Sequence, residues 1–463
     1  MPLNHAVPIP DTEQRRAVGR ARREAVSRSS HARCADRPDS FDVTGLLASQ
    51  DVTRITELVP LRYERMLESP FAFFRGSALI MAHDLARGAS SEIETQICGD
   101  AHLANFGVFS SPERRLVFDV NDFDETTTGP FEWDVKRLAT SLCIAAEGRD
   151  FSVAQRGRIV RAAVREYRET IRTFSESPAL SVWYAHLDIA SLTHQLSQSF
   201  SDESMKQVHD VVRRAVGKTS QRAYDKLVVE VNGVPRIAYD PPTLVPLDQL
   251  VGRDPLPLQE MLQRVVGGYA ESLSSDRHVL FRKFTPYDAA RKVVGVGSVG
   301  TGCYIVLLYG RDRSDPFFLQ IKEATDSVVD RARGRVSPRD PGDRVVAGQR
   351  LMQATPDVFL GHYHETGRDG TNRSYYVRQL FDNKGSVVIH RMDAEALEAY
   401  GKVCAWTLAR AHARSGGSVE IAGYLGKSET FDTAIEEFAE AYRVQNALDF
   451  ATVTATRDSS RVG

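Results

Sequence analysis

The segment from Cys98 to Glu125 constrains the fold most, because it places two polar loops on either side of a short apolar strand. In the first loop, Asp100 follows a glycine and precedes His102 and Asn105. The apolar run 116–118 predicts a strand. An acidic cluster follows directly: Asp119, Asn121, Asp122, Asp124 and Glu125. Carboxylate and amide oxygens at strand ends suit a hard cation such as Mg²⁺, although turns also favour Asp, Asn and Gly for conformational reasons alone.

A glycine-rich segment from Lys292 to Gly302 is the second constraint. It carries the pattern G-x-G-x-x-G at Gly295, Gly297 and Gly300. A dinucleotide-binding fold requires a helix directly after such glycines. Here the β-branched and aromatic run from Cys303 to Tyr309 predicts a strand instead, and the strand predicted after it ends in Lys322. The alternative is a glycine-rich hairpin followed by a surface lysine.

Length and composition set broader limits. The chain of 463 residues predicts two or three domains with an ordinary globular composition. A formal net charge of −2 gives no general case for nucleic acid as a partner. The five cysteines form no C-x-x-C pair, which argues against a disulfide framework or a structural zinc site and predicts a cytoplasmic protein. No apolar run is long enough to span a bilayer, so a membrane is not an expected partner.

Two stretches precede the first polar loop. Residues 1–45 are polar and rich in arginine, a composition that can contact nucleic acid but that we interpret as a solvated tail or a helix packed on the body. Further on, the aromatic block Phe71–Phe74 is interpreted as core packing. Arg75 follows this block directly, so we expect its guanidinium to face phosphate or the acidic cluster.

The first loop resembles the catalytic loop of aminoglycoside- and choline-kinase-like phosphotransferases. Gly99 to Asn105 match their H-G-D-x-H-x-x-N pattern, with Cys98 in place of the first histidine. Asp122-Phe123-Asp124 resembles their D-F/W-x turn, and Asp134 stands where those families carry a later Asp at the head of a helix. The order strand, glycine loop, strand and lysine resembles the nucleotide-binding part of kinases.

This resemblance implies ATP and Mg²⁺ as cofactors and a role for each matched position. Asp100 would orient or deprotonate the acceptor hydroxyl, while Asn105 and Asp122 would carry the metal. Backbone N–H groups around Gly295, Gly297 and Gly300 would cover the phosphates. Lys322 would hold the α- and β-phosphates. The supporting positions are His102, Asp119, Asp124 and Arg75.

One part of the kinase pattern has no clear match. Kinases place a Glu on a helix beside the phosphate-binding lysine. The helix predicted from Val345 to Gln353 contains no Glu, and the nearby candidates are Gln349 and Asp343. The partner of Lys322 is therefore left open by the sequence.

The catalytic-loop pattern precedes the glycine-rich segment, which reverses their order in ordinary kinases. We therefore predict an α+β, protein-kinase-like two-lobe fold in circularly permuted order, with the helical lobe first and the β-rich lobe second. The predicted parts are an Arg-rich arm (1–45), a helical lobe (46–240), a linker and helix (241–278), a β-rich nucleotide-binding lobe (279–392) and C-terminal helices that pack on the helical lobe (393–463).

Longer blocks of the sequence resemble the bacterial domain-of-unknown-function family 2252. The blocks are RYERMLESPFAFFRG, CGDAHLANFG, FDVNDFDET, WDVKRLATSL, VGVGSVGTGCYIVLLYG, FLQIKEA and GQRLMQ. The resemblance covers most of the chain, from about Arg22 to Tyr442. The name of this family implies no reaction.

Taken together, the patterns predict an ATP- and Mg²⁺-dependent phosphotransferase acting on an unknown small-molecule or protein acceptor. One alternative is a nucleotide-binding regulator without turnover. Another is a metal-dependent hydrolase that uses the acidic cluster alone, with an incidental glycine segment. Binding of ATP separates the first two from the third, and turnover separates the first from the second.

Overall fold

Helices dominate the chain before residue 90. The computed structural model describes residues 11–197, 205–206, 209–210, 212–213, 219–250, 258–366, 371–380 and 385–462. The helices of this first part are α1 (Thr12–Ala25), α2 (Val43–Asp51), α3 (Val59–Met66), α4 (Pro70–Gly76) and α5 (Ala78–Arg87). The arginine-rich arm forms α1, and its Arg15 Nε donates to Glu420 Oε1 at 2.6 Å. The described part of the arm is therefore a helix packed on the body of the protein.

A mixed segment follows. Its elements are β1 (Glu94–Ile97), β2 (Phe106–Ser110), β3 (Leu116–Val120), β4 (Thr127–Pro130), α6 (Phe131–Glu147), α7 (Val153–Glu176), α8 (Ala179–Tyr184), β5 (Leu187–Asp188) and α9 (Ile189–Ser197). β2 and β3 form an antiparallel hairpin in which Phe106 lies opposite Val120. This register brings the two polar loops together, because one loop ends where β2 begins and the other starts where β3 ends. The backbone N–H of Asn121 donates to the carbonyl oxygen of Asn105 at 2.7 Å.

A six-stranded antiparallel sheet organises the next part, in the order β12-β13-β11-β10-β9-β8. The elements are α10 (Ser220–Leu227), β6 (Val228–Val231), β7 (Val234–Ile237), β8 (Leu244–Pro246), α11 (Leu247–Leu250), α12 (Leu258–Ala270), α13 (Ser275–Phe281), β9 (Thr285–Lys292), β10 (Cys303–Tyr309), β11 (Pro316–Ala324), α14 (Val328–Ala332), α15 (Pro341–Met352), β12 (Gly361–Thr366) and β13 (Asn372–Gln379). Successive residues of β10 pack on opposite faces, with Val306 in one apolar cluster and Leu307 in another. The sheet is thus covered on both faces, which explains why β10 is apolar throughout.

The chain ends in a short strand and three further helices of the described region. They are β14 (Gly385–Ser386), α16 (Ala394–Arg414), α17 (Ser418–Leu425) and α18 (Thr430–Val462). β14 pairs with β2, while α16 packs on α7 and α18 packs on α6. Although α18 spans 33 residues, no helix in the described ranges combines the length and the hydropathy needed to cross a membrane.

The α+β expectation is confirmed, and the strand predicted from Cys303 to Tyr309 coincides with β10. Two predictions of organisation differ from the structure. The predicted linker 241–278 is part of the β-rich half, because β8 forms the edge of the sheet and α12 packs against β12. The predicted helical lobe also contains the sheet β14-β2-β3-β5. The sequence from about Glu203 to Leu227 also predicts a helix; part of that range lies outside the described residues, and its last part is α10.

α6 is buried on every side, although its sequence contains four charged residues in its first two turns. Three of them bond to neighbours: Glu132 accepts from Ser91, Asp134 from the backbone of Cys98, and Arg137 donates to Asp100. Lys136 is only 1% exposed, and its ammonium lies 4.3 Å from the centre of the Phe438 ring. It makes no ion pair within 4 Å among the described residues, so its charge is poorly compensated.

Replacing this lysine is therefore expected to stabilise the protein. Burial lowers the pKa of Lys136 from 10.5 to about 8. The free energy of unfolding therefore falls as the pH falls from about 10.5 to about 8, because the unfolded chain binds the proton first. Below about pH 8 both states are protonated, so the free energy of unfolding falls no further on this account. Lys136→Met should raise the free energy of unfolding at pH 7 by about 1–3 kcal/mol and by less at pH 10. Urea unfolding at both pH values measures this, with the exposed Lys226→Met as the control. Equal destabilisation at both pH values would contradict it.

Candidate functional site

A cavity of about 140 Å³ lies where the polar loops of the first half meet the glycine-rich segment of the second. We call it the polar cleft. The sequence-predicted residues that line it are Asp100, His102, Asn105, Asp122, Asp124, Arg75, Gly295 and Gly297. Two halves of a pattern that are far apart in the sequence therefore share one cavity.

The loop that carries Asp100 is held from α6. Asp134, in the first turn of α6, accepts from the backbone N–H groups of Cys98 at 2.6 Å and Gly99 at 3.0 Å. Gly99 has a φ of +78°, and a Cβ there would lie 2.2 Å from the carbonyl oxygen of Glu125. Only glycine fits, because the backbone is left-handed and the acidic turn packs directly against it.

Asp100 is fixed by a buried arginine that the sequence patterns did not single out. Arg137 Nε donates to Asp100 Oδ1 at 2.7 Å, and Arg137 Nη2 donates to the carbonyl oxygen of Phe74 at 2.6 Å. The guanidinium also stacks 3.8 Å from the centre of the Phe74 ring. Asp100 Oδ2 has no such partner among the described residues, with His102 Nε2 at 3.7 Å. One carboxylate oxygen is thus anchored while the other faces the cleft.

His102 is 3% exposed, and its Nδ1 has no hydrogen-bond partner in the described part of the chain. Burial lowers the pKa of His102 to about 3, and the nearby carboxylate of Asp100 offsets only part of that shift. The imidazole is therefore neutral at physiological pH, and its role is to shape the wall beside Asp100 without adding a charge.

Asn105 and Asp122 offer oxygen atoms that suit Mg²⁺. The Asn105 amide Nδ2 donates to the carbonyl oxygen of Asp100 at 2.8 Å, which turns Oδ1 the other way. Among the described residues no group of three His, Cys, Asp or Glu side chains could hold a metal ion. Two protein oxygens are nevertheless the donor set expected for Mg²⁺, which keeps several waters and binds largely through substrate phosphates.

Lys322 lies on β11 and bonds to Asp124. Lys322 Nζ lies 2.6 Å from Asp124 Oδ2, and the Tyr376 hydroxyl donates to Asp124 Oδ1 at 2.5 Å. Burial is the largest single influence and opposes the charged form of Lys322, but Asp124, Tyr376 and Asp122 together outweigh it and raise the pKa of the lysine well above its usual value. The lysine is therefore a firm cation bonded to Asp124, which lines the cleft, while Lys322 itself is 3% exposed and lies outside the cavity wall.

This arrangement corrects the predicted candidates for the partner of Lys322. Gln349 donates to Gln353 at 2.8 Å, and Asp343 accepts from Arg339 at 2.8 Å in the exposed first turn of α15. Both are engaged elsewhere because α15 turns a different residue towards the acidic turn. That residue is Arg344, which donates to the carbonyl oxygens of Asp124, Thr126 and Thr325. On α15, where the sequence offered no glutamate, an arginine thus holds the backbone of the acidic turn.

The glycine-rich segment joins β9 to β10 and leaves amide groups unoccupied. Gly295 has a φ of +68° and Gly300 a φ of +89°, values that a residue with a side chain rarely adopts. The N–H groups of Gly295, Val296, Gly297 and Ser298 donate to no atom of the described residues. A tight turn with free amides beside a lysine is suited to an anion such as phosphate.

Besides Lys322, two predicted positions lie outside the wall of the cleft, whereas Arg75 lines it. Asp119 does not line the cleft: it is 1% exposed, forms an ion pair with Arg410 and accepts from the backbone N–H of Ala354 at 2.9 Å. Gly300 lies in the glycine segment but packs against Arg54 outside the cavity wall. Arg75 lines the cleft without an ion pair within 4 Å in the described residues; burial lowers its pKa, and its nearest acids are Asp100 and Asp122.

A second cavity of about 240 Å³, here called the flanking cavity, adjoins the polar cleft. Asn121 and Val294 line it and directly precede Asp122 and Gly295 of the cleft. The other lining residues are Phe109, Ser110, Lys292, Gln320, Gln349, Gln353, Asp357, Arg378, Gln379 and Leu380. Its wall combines apolar side chains and several amides with three charged side chains, Lys292, Asp357 and Arg378.

Sequence patterns missed several residues of the site. Arg137 and Arg344 carry no motif, and Tyr376 lies in an ordinary strand. A signal existed for Arg137, because an arginine that adjoins the apolar run of a helix needs a buried partner. No local signal marks Arg344 or Tyr376, whose roles depend on which segment packs against them.

The fold and the cleft define an α+β protein in which loops from two distant parts of the chain form one charged cavity. The chain belongs to the family described as an uncharacterized protein conserved in bacteria (DUF2252), which matches residues 54–456. This match confirms the family resemblance of the longer sequence blocks. No curated protein and no solved structure is significantly similar to the chain.

Proposed function

We propose that the protein is an ATP- and Mg²⁺-dependent phosphotransferase whose two halves are arranged as in kinases but occur in permuted order. The observation that carries the proposal is the 2.6 Å ion pair between Lys322 and Asp124, which joins the halves across 198 positions of sequence. A phosphate-binding lysine, a glycine loop and loops bearing Asp and Asn are complementary parts of one phosphoryl-transfer mechanism.

In this proposal each group at the cleft has one task. The free amides of the glycine segment and the Lys322 ammonium bind phosphate oxygens; the ammonium has three donors, so it can do so without leaving Asp124. Asn105 and Asp122 hold Mg²⁺, which neutralises the charge that develops on the transferred group. Asp100 presents Oδ2 to the acceptor hydroxyl, since Arg137 occupies Oδ1. Positioning and charge supply most of such catalysis.

The flanking cavity fits the remainder of the nucleotide. It continues from the cleft at Val294 and Asn121, so a triphosphate in the cleft would direct its nucleoside there. Phe109, Val294 and Leu380 offer apolar contacts for a planar base. The side-chain amides of Gln320, Gln349 and Gln353 provide both donors and acceptors.

A thermal-shift titration tests nucleotide binding. ATP with Mg²⁺ at about 100 times its Kd should stabilise the protein by about 2.7 kcal/mol, which for a chain of this size raises Tm by about 2–4 °C. ATP with a chelator should give a smaller rise. The absence of any shift with ATP, GTP or their Mg²⁺ or Mn²⁺ complexes would contradict the proposal.

The same thermal-shift titration is repeated with the variant Asp122→Asn. This variant should remove the difference between ATP with Mg²⁺ and ATP with a chelator while leaving Tm without nucleotide close to wild type, because Asp122 is partly exposed. An unchanged metal dependence would transfer the metal role to another acid of the turn. If the wild type binds ATP but neither hydrolyses it nor transfers its phosphoryl group, the result would favour a nucleotide-binding regulator.

A further inference from the structure

Residues 54–65, which precede the catalytic loop in sequence, bond to the backbone of the glycine segment. The backbone N–H of Ile55 donates to the carbonyl oxygen of Gly300 at 2.8 Å. Arg65 Nη1 donates to the carbonyl oxygen of Gly295 at 2.9 Å, and Arg54 Nη1 donates to that of Val299. Three carbonyl groups of one short loop are therefore held by a single stretch, residues 54–65.

Apolar packing adds to these bonds. Val296 packs against an apolar cluster that includes Leu47, Tyr63 and Met66 of α2 and α3. At Gly300 a Cβ would lie 3.1 Å from the Cβ of Arg54, so the two chains approach closely. The loop is thus anchored at both ends and in the middle, and one of the anchoring residues, Arg54, also lines the polar cleft.

We propose that residues 54–65 form a clamp that holds the glycine segment in its phosphate-binding shape. The inference rests on the proposed nucleotide binding and assigns part of that site to an N-terminal stretch in which Ile55 and Arg65 act on the loop from outside the cavity wall. Because the clamp occupies carbonyl groups, the N–H groups of Gly295 to Ser298 remain for the ligand. A free glycine-rich loop would lose backbone conformational entropy when a ligand orders it, and a loop that is already ordered avoids that loss.

The clamp makes Arg65 a positioning residue, and its side chain offers a clean test. It is partly exposed, and its bond to Gly295 is the one hydrogen bond it makes to the described residues. Arg65→Met keeps the aliphatic stem and removes the donors, so the apparent Kd for ATP with Mg²⁺ should rise about 2- to 12-fold with turnover at saturating ATP unchanged. Arg65→Lys should restore most of the affinity. Glu64→Gln, on the same helix and exposed, is the control.

A second variant removes a backbone donor. Ile55 has a φ of −63°, which proline can adopt, so Ile55→Pro deletes the N–H that bonds to Gly300 without forcing φ. Hydrogen exchange of the peptide covering 293–302 should be faster in both clamp variants than in wild type without nucleotide, and ATP should slow it in all of them.

The outcomes separate the two proposals. Failure of the wild type to bind any nucleotide would overturn the proposed function. Normal ATP affinity and normal loop exchange in both Arg65→Met and Ile55→Pro, with wild type binding ATP, would overturn the clamp alone. A loss of affinity that Arg65→Lys does not rescue, together with a general fall in Tm, would also overturn it.

Discussion

Asp100→Asn is expected to bind ATP with Mg²⁺ about as tightly as the wild type and to lose phosphoryl transfer by about 10²–10⁴-fold. In the wild type Arg137 Nε donates to Asp100 Oδ1 at 2.7 Å. The side-chain oxygen of asparagine can accept the same bond, so the loop should keep its geometry. What is lost is the charge and the second acceptor oxygen that would face the acceptor hydroxyl. Calorimetric ATP titration and slow ATP hydrolysis or autophosphorylation measure the two effects separately.

Asp326→Asn is the matched control for this experiment. Asp326 lines the same cleft and undergoes the same chemical change, but it has no place in the proposed mechanism. Its turnover should stay close to that of the wild type. Full turnover by Asp100→Asn would show that the catalytic-loop assignment is wrong, since the base or orienting group would then lie elsewhere.

Lys322→Met should have two effects at once. It should weaken ATP binding by about 10- to 100-fold, because a hydrogen bond to a charged group contributes about 1.5–3 kcal/mol. It should also lower the free energy of unfolding by about 1–3 kcal/mol, since Asp124 loses its cation. The second effect is smaller than for a fully buried pair because the Asp124 side chain is 27% exposed.

The double variant Lys322→Met/Asp124→Asn distinguishes the two effects. The neutral amide needs no cation, so the free energy of unfolding should return most of the way to the wild-type value. ATP affinity should stay low, because the phosphate-binding ammonium is still absent. Recovery of ATP affinity together with stability would mean that Lys322 only supports the fold. Urea unfolding and ATP titration of the single and double variants provide the comparison.

The sequence by itself determined the local elements and the loops on which the site residues lie. The β-branched run from Cys303 to Tyr309 specified β10, because such side chains suit a strand covered on both faces. The glycines before it identified the tight turn, since Gly295 and Gly300 adopt positive φ. The catalytic-loop pattern also placed Asp100 and Asn105 in a loop, which in the structure is the segment between β1 and β2. These are short-range properties, which neighbouring residues decide.

Only the tertiary structure decided which groups meet. Asp119, Asp122 and Asp124 lie within six positions of one another, yet each has different surroundings. Asp119, still within β3, points to the buried Arg410, whereas Asp122 lines the polar cleft and Asp124 bonds to Lys322. Local periodicity gives the face of an element but not its partner. The partners here come from segments tens to hundreds of residues away, and packing between helices and sheet selects them.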